Sequence, residues 1–151
     1  MFQSRNPNYN DYVKLKVARN KFLAALGFEL TLINEGAIEG ELVFKEMHEQ
    51  QNGFFHGGVI STLCDMACGY SAYSLVEEGQ QVFTVELKVS YLRKGIGEKL
   101  IAKGRVIKPG KKFYFCESEV YAVNSGETIL VAKASSTMSV GKEKVNDKYG
   151  G

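Results

Sequence analysis

The chain has 151 residues, 44% of them hydrophobic and 24% charged, which is globular composition at the length of one domain. Nineteen basic residues against seventeen acidic leave a net charge of +2, without the basic excess of a nucleic-acid-binding domain. No stretch reads as a membrane span: the least charged one, Val59 to Val76, carries Asp65 at its centre and several hydroxyls besides.

In chain order, Asp11 to Leu26 spaces Val13, Leu15, Val17, Phe22 and Leu26 as one helix would, with Lys and Arg on the other side. Gly27 stands where a helix C-cap is wanted. The period then changes to two. Phe28, Leu30 and Leu32 alternate with Glu29 and Thr31; after a turn at Asn34-Glu35-Gly36, Ile38, Leu42 and Phe44 follow with Glu39 and Glu41 between them. This predicts a hairpin, and the polar run Lys45 to Gly53 predicts a loop.

Val59 to about Val76 predicts one long helix, apolar almost all round and therefore buried on most sides. Its small residues, such as Ala67, Gly69 and Ser71, predict a close neighbour. Four strands follow: Phe83 to Tyr91, one around Leu100, Ala102 and Val106, then Phe113 to Val123 and Thr128 to Val140, joined by short Gly turns. Residues 141–151 predict a polar, fraying tail. An antiparallel sheet curved around one apolar helix satisfies this order, giving a single α+β domain over residues 1–151. Three cysteines without a CxxC pair or a Cys/His cluster argue against a disulfide framework or a metal site. The polar first ten residues lack a signal peptide's apolar core, so a cytoplasmic location is expected.

From Asn52 to Val76 the only formal charge is Asp65. A carboxylate buried in an apolar helix is costly unless it is partnered, so Asp65 is either functional or bonded to a backbone group, a Lys or an Arg. His56-Gly57-Gly58 opens the same helix. The first N–H groups of a helix lack internal partners, and glycines let a ligand come close, so this is a candidate oxyanion site as well as a plain tight turn. Gly57 and Asp65 lie about 12 Å apart along the helix. One chain therefore cannot present both to one carbonyl, whereas antiparallel helices of two chains across a two-fold axis place each Asp65 opposite the other chain's Gly57.

Asn52-Gly53-Phe54-Phe55-His56-Gly57-Gly58-Val59 with Leu63-Cys64-Asp65, then Phe83-Thr84-Val85-Glu86-Leu87 and Ser90-Tyr91-Leu92-Arg93, resembles the signature of hotdog-fold acyl-CoA thioesterases of the PaaI type. The resemblance covers about Leu26 to Val140. It implies hydrolysis of an acyl-CoA carrying a medium-chain or aromatic acyl group, with no cofactor, since CoA is part of the substrate. It implies Asp65 as general base or nucleophile, Gly57 as oxyanion donor, His56 as a positioning residue and Thr84 as an assisting hydroxyl. Gln50 stands where some members have Asn, with Asn52 nearer the histidine. A homodimer or dimer of dimers, with sites at the dimer interface, is the implied assembly.

Gly58 and Phe55 are candidate substrate contacts, and Phe54, Phe55, Tyr70 and Tyr73 are candidate acyl-pocket walls and equally candidate core residues. Arg93, Lys94, Lys108 and Lys111 are candidate phosphate contacts, although turn lysines are often merely solvated. Cys64 and Cys68, at i,i+4, read as packed thiols rather than nucleophiles beside Asp65. Two other readings stand beside hydrolysis. One is a non-catalytic acyl-CoA or acyl-lipid binding module, which needs no such carboxylate. The other is an enoyl thioester hydratase, whose paired Asp and His are not evident.

Overall fold

The computed structural model describes residues 2–142. The predicted tail therefore lies almost wholly outside the described residues, and its first two positions, Gly141 and Lys142, belong to the last strand. Where one N-terminal helix was predicted, two form: α1 (Tyr9–Ala18) and α2 (Lys21–Leu26). The break comes from Asn20, which leaves helical geometry and accepts a hydrogen bond from the Leu23 N–H at 3.1 Å. An Asn side chain competes well for such backbone donors at a helix start. The break leaves Leu15 and Phe22 exposed, while Val13, Leu23 and Leu26 are buried. Gly27 ends α2 in the left-handed region, φ 84°, as the sequence predicted.

The hairpin β1 (Phe28–Asn34) and β2 (Ala37–Val43) forms at its predicted place. The predicted loop contains a 3₁₀ turn at Glu46–His48 and two short paired strands, β3 (Glu49–Gln50) and β4 (Phe54–Phe55). The long helix α3 runs Gly57–Tyr73, starting two residues before the predicted Val59 and ending short of Val76. The strands β5 (Gln80–Tyr91), β6 (Lys99–Pro109), β7 (Phe113–Asn124) and β8 (Glu127–Lys142) follow. The antiparallel sheet has the order β1-β2-β6-β7-β8-β5, so β5 is an edge. The sheet curves around α3 in the hotdog arrangement.

The helix seats closely because both partners are small. A Cβ on Gly104 of β6 would run into the Ala67 carbonyl of α3 and stand 2.8 Å from Ser71 Oγ. Ser71 Oγ–H donates to the Ala67 carbonyl at 2.7 Å, and Ser118 Oγ–H of β7 donates to the Cys64 carbonyl at 3.0 Å. These bonds occupy polar groups that the packing buries. Burial all round, however, is not what the chain alone provides. Ile60, Leu63, Cys64, Ala67, Tyr70, Ser71 and Ala72 are buried, but Gly58, Ser61, Thr62, Asp65, Met66, Gly69 and Tyr73 are not. The latter recur at helical spacing and form one open stripe. Among the described residues no helix is long and apolar enough to cross a membrane.

Gly104→Ala is expected to cost about 1–3 kcal/mol, because a backbone carbonyl cannot rotate out of the way as a side chain can. A lower urea midpoint with an unchanged m-value would show it.

Candidate active site

His56 is the N-cap of α3, with extended backbone at φ −63° and ψ 139°. Its Nδ1 accepts from the Gly58 N–H at 2.8 Å. A neutral ring that accepts at Nδ1 carries its proton on Nε2. Capping at Gly58 leaves the preceding amide untouched, and among the described residues the Gly57 N–H has no acceptor. The Gly57 carbonyl is held by Tyr91 Oη–H at 2.9 Å, from the end of β5. An amide without an acceptor at the positive end of a helix, on a backbone fixed from both sides, has the chemistry to receive an anion.

Asp65 lies two turns further along α3. It is half-buried on the open stripe rather than enclosed in the core, which corrects the sequence expectation. Its Oδ1 accepts from Thr84 Oγ1–H at 2.7 Å. The partner is thus a hydroxyl of β5, not a backbone group, and no Lys or Arg pairs with Asp65 among the described residues. A bulge between Thr84 and Glu86 reorients β5 at this point, and it leaves Val85 59% exposed. Among the described residues no donor meets the second carboxylate oxygen.

Beside Asp65 and Thr84 lies a cavity of about 240 Å³, walled by Met66, Tyr70, Tyr73 and Met138 among others. Tyr70 and Tyr73 are the predicted walls. Phe54 and Phe55 are not on it. Phe55 is 1% exposed, packed edge-on against Phe44 at 4.9 Å between centroids and stacked on His48 at 6.1 Å. It supports the loop from beneath.

That loop depends on a residue the sequence left unassigned. His48 is fully buried. Its Nδ1 accepts from the Lys45 N–H at 3.1 Å, its Nε2 meets the Leu26 carbonyl at 2.9 Å, and its carbonyl accepts the His56 N–H at 2.8 Å. One neighbour can only donate and the other only accept, so the ring is the neutral Nε2–H tautomer. His48 thereby ties the residue before Gly57 to the end of α2. Tyr91 was missed as well. Its signal was its place on the face of β5 that carries Leu87 and Val89, with a hydroxyl at the strand end.

Gln50 and Asn52 lie on the same loop, with Asn52 Nδ2–H donating to Gln50 Oε1 at 3.2 Å. Arg93 and Lys94 follow β5 on the side of the helix N-terminus, where Gly95 bridges Phe55. Arg93 donates to the Leu130 carbonyl at 3.1 Å, and the Lys94 ammonium sits over the Phe54 ring at 5.6 Å. Lys108 and Lys111 lie at the β6–β7 turn, beyond Val106 and Tyr114, which pack with Leu75 and Val76 past the far end of α3. A single chain therefore does not gather the two basic pairs at one place.

Residues 52–129, just over half of the chain, match the thioesterase superfamily. A thioesterase family protein of Silicibacter pomeroyi, known from its crystal structure, is 34% identical with a TM-score of 0.88, over 90% of this chain and all of that one. The medium/long-chain acyl-CoA thioesterase YigI of Escherichia coli is 27% identical over 137 residues, 80% of this chain and 85% of its own. The PaaI protein of the E. coli phenylacetic acid degradation operon shares the fold at 21% identity, with a TM-score of 0.77 over 89% of this chain and 94% of that one.

Burial pushes the Cys64 thiol up to about 11 and the Cys68 thiol up to about 12. Both stay protonated at neutral pH, and the thiolate is the nucleophile. Cys64→Ser is therefore expected to retain turnover within a few-fold. Iodoacetamide at pH 7.5 should leave the native protein active, as a thiol-release assay with an acyl thioester substrate would measure.

Proposed function

Because this chain belongs to the thioesterase superfamily and is a thioester hydrolase, we propose that it hydrolyses acyl-CoA thioesters with medium-chain or aromatic acyl groups, at two sites shared by a homodimer. The observation that carries the reading is the Asp65 carboxylate, held at Oδ1 by Thr84 at the mouth of the 240 Å³ cavity. In this reading Asp65 is the general base. A water gives its proton to the free carboxylate oxygen as its oxygen attacks the thioester carbon. The carbonyl oxygen becomes an oxyanion, held by the Gly57 N–H of the second chain. Collapse breaks the carbon–sulfur bond, and the proton on Asp65 leaves with the CoA sulfur. No resident cofactor enters this sequence.

The dimer is supported by what a single chain leaves uncovered. The edge strand β5 is twelve residues long and exposes Phe83, Val85 and Tyr91. The open stripe of α3 lies beside it, since Thr84 of β5 bonds Asp65 of that stripe. A long edge with apolar side chains invites pairing with another chain. An antiparallel partner helix would also supply the amide that lies about 12 Å too far away within one chain. Arg93 and Lys94 of one chain with Lys108 and Lys111 of the other are the candidate contacts for the CoA phosphates. Pairing of dimers across the outer sheet face would give the larger assembly.

Asp65→Asn is expected to lower kcat by roughly 10²–10⁴-fold with the fold intact. Gly57→Pro removes the amide hydrogen and adds a ring whose Cβ would stand 3.4 Å from the Tyr91 ring, an ordinary contact. Proline is tolerated at the first helical position, and the preceding His56 already has the extended backbone that proline requires. It should cost about 10²–10³-fold. Mixed and refolded together, the two inactive variants should recover about a quarter of the wild-type rate through hybrid dimers with one intact site; no recovery would refute shared sites.

A single turnover in H₂¹⁸O separates the two roles open to Asp65. General-base chemistry puts the label in the released acid. A nucleophilic Asp65 would form a mixed anhydride, and its opening by labelled water at the aspartyl carbonyl would put the label in the protein carboxylate first, detectable by peptide mass.

A further inference from the structure

The cavity beside Asp65 is also lined by residues that precede the family-matched segment. Lys16 of α1 and Asn20, the cap of α2, line it together with Tyr70 and Tyr73. Their chemistry is lopsided. Lys16 Nζ–H donates to Gln81 Oε1 at 3.3 Å, and that oxygen already accepts from Tyr73 Oη–H at 2.9 Å. Tyr73 Oη in turn accepts from the Val82 N–H at 3.1 Å. Tyr70 Oη accepts from Asn20 Nδ2–H at 3.2 Å, and among the described residues no acceptor meets its own proton. Burial pushes the Tyr70 phenol up, so that proton stays in place.

Lys16 has three donors and, among the described residues, no carboxylate to pair with. It sits over the rings of Tyr12 and Tyr73, at 5.2 and 5.4 Å from their centroids. Donors outnumber acceptors, and an ammonium stands at an otherwise aromatic wall. Such a place favours an anionic oxygen ligand.

Building on the thioesterase reading, we propose that this cavity takes a medium-length acyl chain whose far end carries a carboxylate, received by Lys16 and the Tyr70 hydroxyl. The dimensions agree. Asp65, Gly69 and Tyr73 share one helix face, and Asp65 to Tyr73 spans about 12 Å. An extended chain advances about 1.2 Å per bond, so roughly ten bonds cover that span. From the thioester carbonyl carbon to a terminal oxygen of an eight-carbon diacid there are seven carbon–carbon bonds and one carbon–oxygen bond, about 10 Å, and the attacking water between Asp65 and the carbonyl makes up the difference. Lys16 is then a specificity-determining residue remote from the reacting carbon.

The test compares suberoyl-CoA with octanoyl-CoA, equal in carbon number and differing in the terminal carboxylate, by thiol release. The wild type should favour suberoyl-CoA in kcat/KM by at least tenfold. Lys16→Met should abolish that preference while leaving octanoyl-CoA turnover within a few-fold, and Lys16→Arg should keep it. Equal or better use of octanoyl-CoA by the wild type would overturn the proposal and leave the thioesterase reading standing. So would a Lys16→Met loss equal for both substrates. Hydrolysis of neither compound, nor of any other acyl-CoA, would overturn the reading beneath it.

Discussion

Everything at the site is referred to the place where α3 touches β6. The Ala67 carbonyl occupies the space a side chain on Gly104 would fill. Contacts this close are rigid, because backbone meets backbone and no rotamer can relax them. They fix the depth and rotation of a helix that carries Gly57 at one end and Asp65 at its middle. The same seating turns the small, polar stripe of α3 away from the sheet, and the hydroxyl of Thr84 reaches Asp65 from the adjoining strand edge.

The two histidines divide the work of holding the helix start. His56 occupies the Gly58 amide and thereby leaves the Gly57 amide without an acceptor. His48 holds His56 in place from behind, through its carbonyl, and spends its ring on Lys45 and Leu26. Both rings serve as neutral hydrogen-bond hubs. The exposed one caps the helix start and the buried one braces it; in the proposed mechanism this lets the Gly57 amide keep its direction without reorganising when charge develops.

The fold was largely legible because period and punctuation agreed. Alternation in β5, Gly turns between strands and an apolar run broken by one carboxylate admit few arrangements. Asp65 and Thr84 were legible as a pair through the family signature; their hydrogen bond depends on a bulge after Thr84 that strict alternation in β5 does not announce. What was not legible depended on geometry without a sequence period. Asn20 split a helix whose spacing looked continuous, because a single side chain competed for the Leu23 amide. Phe55 sat in the signature with two readings open, pocket wall and core, and β4 turns it into the core. His48 lay in a polar run, and nothing in its neighbours announces complete burial. The expected burial of Asp65 failed for a different reason: an apolar helix face was assigned to the chain's own sheet, which covers only part of it.

The strand that steadies Asp65 is also the unpaired margin of the sheet. In a site built from two chains, this makes catalysis a property of association. In the proposed shared site a lone protomer would hold its carboxylate with no oxyanion donor opposite it. Turnover would then set in only above the concentration at which pairs form. The protein's own abundance would act as a threshold, and a newly made chain would leave thioesters intact until it met its double.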